Sequence, residues 1–179
     1  LRQLTGGLFG DDNPKLERVK DMLEEITESG HKALIFSQWE QVTAVYKKTL
    51  KNYNPAYIVG AVDPEDRQKE VDRFQNDPTC KVAIGTIGAM GTGLTMTAAS
   101  YVFFIDKRYW DAENKQAEDR AHRIGTTNTV NVVSLVATNT VDEGIEEMLR
   151  DNKALFDRVV EGKGSRVDFG EILRKILQL

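Results

Sequence analysis

The feature that most limits how this chain can fold is an alternation of short, unbroken apolar runs with segments of helical period. Ala33-Leu34-Ile35-Phe36, Val82-Ala83-Ile84 and Tyr101-Val102-Phe103-Phe104-Ile105 are apolar at consecutive positions. A strand with one wet face would alternate, so runs of this kind predict strands covered on both faces, the condition of a parallel sheet between helices. Asn13-Pro14 predicts a helix start, because Asn caps free amides and Pro tolerates the first helical position. That helix runs to about Gly30, with Leu16, Val19, Leu23 and Ile26 as its buried stripe. A helix over 39–52, a strand from Ala56 to Val59 and a helix from Asp63-Pro64 to Phe74 follow, the last stopped by Asn76-Asp77-Pro78. After the strand at 101–105 come a helix from Ala112 to Arg123, closed by Gly125, and a strand from Val130 to Val136. Thr140-Val141-Asp142-Glu143 has the form of a capping box for a long helix to about Glu161, with Ile145, Met148, Leu149, Phe156 and Val159 turned inward. The fold class is α/β.

Residues 1–161 form one lobe in this reading. Gly162-Lys163-Gly164-Ser165 is a joint, and 166–179 is a short amphipathic helix carrying Phe169, Ile172, Leu173, Ile176 and Leu177. With one cysteine, Cys80, and two histidines, His31 and His122, the chain has no internal disulfide and no cluster at metal-ligand spacing. There is no apolar run of eighteen residues and no N-terminal signal pattern, from which we expect an intracellular protein with no membrane partner. The net charge of −4 argues against a general nucleic-acid coat, so any nucleic-acid contact must be local. An opening at Leu1-Arg2-Gln3 reads as a piece of something longer. Trp39, Phe74, Phe103, Phe104 and Cys80 are simplest as core.

Ligands of such sheets lie beyond the C-terminal strand ends, which directs attention to 36–38, 59–63, 85–95 and 106–116. No GxxxxGK[ST] phosphate cradle is present; Gly85, Gly88, Gly91 and Gly93 lack the following Lys-Ser or Lys-Thr. The string Gln116-Ala117-Glu118-Asp119-Arg120-Ala121-His122-Arg123-Ile124-Gly125 is more specific. Helical spacing puts Gln116, Arg120 and Arg123 near one face, where two guanidinium groups repel unless an anion stands between them. A triphosphate would suit such a pair. A plain alternative is pairing of either arginine with Glu118 or Asp119 on a solvated face.

With these residues in place, the chain resembles the C-terminal helicase-like lobe of Swi/Snf-type ATPases, within helicase superfamily two. His31 to Gln38 looks like motif IV, and Gly60, Arg67 and Phe74 match the pattern after it. Gly91-Thr92-Gly93-Leu94 through Thr97-Ala98-Ala99-Ser100 looks like motif V, and QAEDRAHRIG is a near-complete motif VI. The resemblance implies a RecA-like lobe that closes on a first lobe carrying the phosphate loop and the magnesium-binding acids. ATP with Mg2+ would lie between them, and the isolated chain would be inactive. Arg123 and Arg120 would reach the phosphates, Gln116 would support them, and the backbone at Gly91 and Gly93 would approach the nucleotide. The helix from Val141 would brace the lobes.

For double-stranded DNA, the resemblance points to the backbone of Ser37 and Gln38, the hydroxyl of Thr86 and the loop after Asp106, with Lys107, Arg108, Tyr109 and Trp110. Cations there would make affinity fall with salt. The chain departs from the pattern at Met90, Thr95, Lys107 and Thr126, and at Gly88, a position often arginine, where a phosphate contact is expected to be lost. These departures suggest a bacterial or viral branch. Two other functions stay open: a lobe that has lost catalysis and serves as a DNA- or protein-binding module, and an RNA-unwinding enzyme, which motif VI fits less well.

Overall fold

A computed structural model describes residues 13–90, 94–108, 111–120 and 129–160. Five strands, β1 (Lys32–Ser37), β2 (Ala56–Ile58), β3 (Val82–Thr86), β4 (Ala99–Phe104) and β5 (Asn131–Ser134), form one sheet of order β2-β3-β1-β4-β5. Every pairing is parallel, and register places Ser37 beside Thr86 and Phe36 beside Phe104. This is the α/β architecture that the apolar runs predict.

Helix α1 (Pro14–Glu28) starts as its sequence requires: the Asn13 Oδ1 accepts the Leu16 N–H at 3.0 Å, with Pro14 at the first helical position. Its stripe packs with α2 (Glu40–Thr49) on one sheet face, around Ala33, Ile35, Val82, Ile84, Phe103 and Ile105. The opposite face, around Leu34, Phe36, Ala83, Val102 and Phe104, is covered by α3 (Pro64–Asn76), a single turn α4 (Ile87–Met90) and α5 (Asp111–Glu118). Travel from β1 to β2 uses the first face and travel back across the sheet uses the second, as crossovers of one hand must. The turn α4 lies within a stretch that the sequence shows only as a glycine-bearing connection.

Gly85 has a specific reason to be glycine. A Cβ there would stand 2.0 Å from the Ile58 carbonyl oxygen and 2.4 Å from the Met90 Sδ. Edge strand β2 is blunted by side chains: the Glu70 Oε2 accepts the Tyr57 N–H at 2.7 Å, and the Arg73 guanidinium donates to the carbonyls of Asn54 and Pro55. Further pairing on that edge is thereby obstructed.

The long helix α6 (Val141–Val160) begins one residue after Thr140, as expected, but with a different cap. The Glu143 carboxylate accepts the N–H of Asn139, not that of Thr140, while the Thr140 Oγ accepts from the Asp142 N–H at 3.2 Å. Ile145 and Leu149 are buried as predicted and Met148 is half-buried; Phe156 and Val159 lie outside the described side chains. The predicted joint and tail helix at 162–179 also lie outside the described residues.

Candidate functional site

The chain leaves β1 in one direction and leaves both of its neighbours, β3 and β4, in the other. A crevice opens where such departures diverge, at the C-terminal end of the central strand. Three side chains from separate sequence regions line up there. Thr86 ends β3, Ser37 ends β1 beside it, and Asp106 follows β4. The buried Asp106 carboxylate accepts the Ser37 hydroxyl at 2.5 Å and the Gln38 N–H at 2.8 Å. The Ser37 Oγ in turn accepts the Trp39 N–H at 3.1 Å. Ser37, Gln38 and Thr86 thus lie together at this edge, and the Gln38 backbone N–H is already committed to Asp106. Behind them the Tyr46 phenol is fully buried; burial and then the nearby Asp106 charge push its pKa up, so it stays protonated.

The loop after β4 carries its two cations in ion pairs. The Lys107 Nζ lies 3.3 Å from the Glu146 Oε1 on α6, and the Arg108 Nη1 lies 2.9 Å from the Glu113 Oε1 on α5. The positive charge foreseen there is therefore partly compensated by carboxylates that the sequence reading did not include. Arg108 also reaches toward α4: a Cβ on Gly88 would stand 3.0 Å from its Nη2. Position 88, read as the loss of a phosphate contact, is where the guanidinium of another arginine comes to lie. Tyr109 and Trp110 fall outside the described residues.

The predicted helix to Arg123 is shorter. α5 ends at Glu118, and the chain turns at Asp119-Arg120. At that turn the Arg120 carbonyl accepts the Met96 N–H at 3.1 Å, which ties it to the segment leading into β4. Gln116 is exposed on α5, and the Arg120 side chain folds back with its Nε 3.3 Å from the Gln116 carbonyl oxygen. Its Nη1 is 3.5 Å from the Leu94 carbonyl oxygen. Among the described residues no carboxylate pairs with the Arg120 guanidinium, so carbonyl dipoles orient it without cancelling its charge. A half-buried cation held this way beside the segment 94–96 suits an anion such as a phosphate chain. Arg123, Gly91 and Gly93 lie outside the described residues. No group of three or more His, Cys, Asp or Glu among the described residues could hold a metal ion, and no helix there is long and apolar enough to cross a membrane.

Residues 14–125 match the helicase conserved C-terminal domain. The chain belongs to that family. It is 35% identical over 174 residues to Protein CHROMATIN REMODELING 19 of Arabidopsis thaliana, covering 91% of this chain and 23% of that protein. It is 32% identical over 152 residues to Helicase SWR1 of Candida glabrata, covering 84% of this chain and 10% of that protein. Among solved structures, the C-terminal part of the Fun30 ATPase domain aligns with a TM-score of 0.73 at 28% identity, over 79% of this chain and 48% of that one. The Sulfolobus solfataricus SWI2/SNF2 ATPase core in complex with dsDNA aligns with a TM-score of 0.72 at 26% identity, over 91% and 36%. The lobe is RecA-like and of Swi2/Snf2 type, and the chain spans less than a quarter of the length of these curated relatives. Those relatives come from a plant and a fungus and give no support to the bacterial or viral branch inferred from the motif departures.

Asn114 was missed by sequence reasoning. It is buried, and its amide holds the backbone of Arg108 at both ends. Lys15 was missed too: its ammonium joins α1 to the end of β4 and to α6. Each looks like an ordinary polar position of a helix, and only its burial marks it.

Proposed function

We propose that this chain is the second ATPase lobe of a motor that couples ATP hydrolysis to translocation along double-stranded DNA. The carrying observation is the C-terminal edge of the sheet, where the Thr86-Ser37-Asp106 row and the Arg108 loop come together in a lobe of the helicase C-terminal family, while the Arg120 turn packs on the segment 94–96 that leads into β4. Bound ATP with Mg2+, held mainly by the phosphate loop and acids of a first lobe, supplies the phosphoryl group whose transfer to water drives the cycle. Arg123 and Arg120 face that phosphate chain as charge develops on it, a role worth roughly a thousandfold or more in rate for a finger arginine. Gln116 orients the Arg120 turn, and the backbone at Gly91 and Gly93 approaches the nucleotide. Ser37, Gln38, Thr86, Lys107, Arg108, Tyr109 and Trp110 lie along the duplex. The contact at Gln38 then uses its side chain, since its amide serves Asp106. Relatives named for chromatin remodelling support a nuclear place for the parent protein.

Hydrolysis is measured on the two-lobed parent, with and without duplex DNA, beside an Arg123→Ala version and the isolated lobe. Stimulation by duplex, a silent isolated lobe and a loss of about a hundredfold or more in Arg123→Ala are the expected results. A second reading, a lapsed binding module, is favoured by the departures from the motif V pattern at Met90 and Thr95. A parent equally slow with or without duplex, and indifferent to Arg123, would establish it. Stimulation by single-stranded RNA in place of duplex DNA would point instead to an RNA-unwinding enzyme.

A further inference from the structure

Asn114 is 1% exposed, although an apolar residue would fill the same space on α5 without a polar group to satisfy. Its Oδ1 accepts the Arg108 N–H at 2.8 Å, and its Nδ2 donates to the Arg108 carbonyl at 2.9 Å. A primary amide presents a donor and an acceptor side by side, so this pair grips both polar groups of one backbone residue. Arg108 is thereby fixed to α5 in a loop that would otherwise take many conformations. From there its side chain crosses from the β4 side of the sheet toward α4, which follows β3, and comes to lie over Gly88. Glycine is what leaves room for it. The Glu113 pair steers the guanidinium without neutralising it strongly, since the two side chains are 35% and 42% exposed and solvent screens them. One donated bond leaves a five-donor group with further N–H bonds to give.

We propose that Asn114 is a positioning residue: it sets the Arg108 guanidinium over the C-terminal ends of β1 and β3 so that it meets a backbone phosphate of the duplex. This rests on the motor reading above. Asn114 itself touches no DNA, so its effect passes entirely through Arg108, and the two substitutions are not additive.

The test uses the full-length, two-lobed parent and mixed-sequence duplex DNA. The duplex concentration for half-maximal stimulation of ATP hydrolysis, and its dependence on salt, are measured for Arg108→Gln, Asn114→Ala and the double variant. Asn114→Asp is added because it keeps the volume and the acceptor for the Arg108 N–H while losing the donor to the carbonyl, and thermal unfolding of each variant checks that it is folded. Each single change is expected to raise the half-saturating concentration several-fold, and in the two Asn114 variants the rate at saturating duplex stays close to that of the unaltered protein. The slope against salt should fall by about one, as for a lost phosphate contact. The double variant should be no weaker than Arg108→Gln. Half-saturation unchanged in both Asn114 variants, or Asn114 effects that multiply with Arg108→Gln, would overturn the inference and leave Asn114 purely structural. A parent that duplex does not stimulate at all overturns the motor reading, and this inference with it.

Discussion

The Nζ of Lys15 lies 2.5 Å from the Oδ2 of Asp142 across 127 residues of sequence, with both side chains nearly excluded from solvent at 6% and 7% exposure. The same ammonium donates to the Ile105 carbonyl at 2.6 Å. The first helix, the end of β4 and the start of α6 thus meet at one buried charge pair, next to Asp106 and the Arg108 loop. Lys107, paired with Glu146, ties that loop to α6 a second time.

Removing one partner of a buried pair strands the other, which typically costs about 3–5 kcal/mol, whereas replacing both by apolar groups can be nearly neutral. Asp142→Leu is therefore expected to lower the denaturant midpoint strongly, and Lys15→Met/Asp142→Leu to recover most of the loss. Recovery stays incomplete, because the Asp142 Oδ2 also accepts the Ala137 N–H at 3.3 Å. Losses that simply add in the double variant would show that the two residues do not act as a pair.

Gly85 and Gly88 separate packing from the site. Gly85→Ala must push a methyl into the Met90 side chain and into a backbone carbonyl of the neighbouring strand, and the carbonyl cannot yield without moving the sheet. A cost of at least about 3 kcal/mol is expected. Gly88→Ala meets only the far end of the Arg108 side chain, which can swing away, so folding should be retained. Thermal unfolding of the two variants compares them directly; a Gly85→Ala protein as stable as the parent sequence would mean that β2 and β3 do not approach this closely.

Strands β1, β3 and β4 were legible because burial on both faces leaves an unbroken apolar run. The cap at Asn13 was legible because it is local. Three features were not, two of them for a tertiary reason. The pattern of α5 continues to Arg123, and nothing local in it foretells the turn at Asp119-Arg120, where the Arg120 carbonyl meets the Met96 N–H of a segment distant in sequence. The turn α4 is too short to show a period and contains Gly88. Lys15 and Asn114 are polar residues whose partners lie on other elements, and composition cannot tell them from solvated neighbours. The residues at the C-terminal edge were found through motif resemblance, while the side chains that hold them in place came only from the fold.

Cys80 is fully buried, and its thiol donates to the Val82 carbonyl at 3.6 Å. Burial pushes its pKa up, outweighing the nearby Arg73 and Lys32 charges, so little of the reactive thiolate exists near neutral pH. Alkylation by iodoacetamide should be very slow in the folded chain and accelerate with denaturant in step with unfolding. Rapid labelling under native conditions would mean that the strand-end region around Thr79 and Lys81 opens on its own.

Acid should weaken the lobe partly through its β2 edge. Burial raises the Glu70 pKa, but hydrogen bonds from Arg73 and the Tyr57 N–H, with the Arg73 and Lys47 charges, outweigh it and leave the carboxyl below its ordinary value of 4.5. Asp77 is likewise held below 3.8, chiefly by the hydroxyl and N–H of Thr79. On acidification the unfolded chain takes up these protons first, so the stabilisation is complete above the ordinary values and is lost as pH falls through the lower folded values. Denaturant midpoints measured from pH 6 downward should therefore drop in that acid window, and Glu70→Gln should be weaker at pH 6 with a shallower drop below it. The amide can still accept the Tyr57 N–H but cannot pair as an anion with Arg73, which is why the loss is partial. An acid profile identical in Glu70→Gln and the unaltered chain would mean that the edge clamp contributes nothing to the acid dependence.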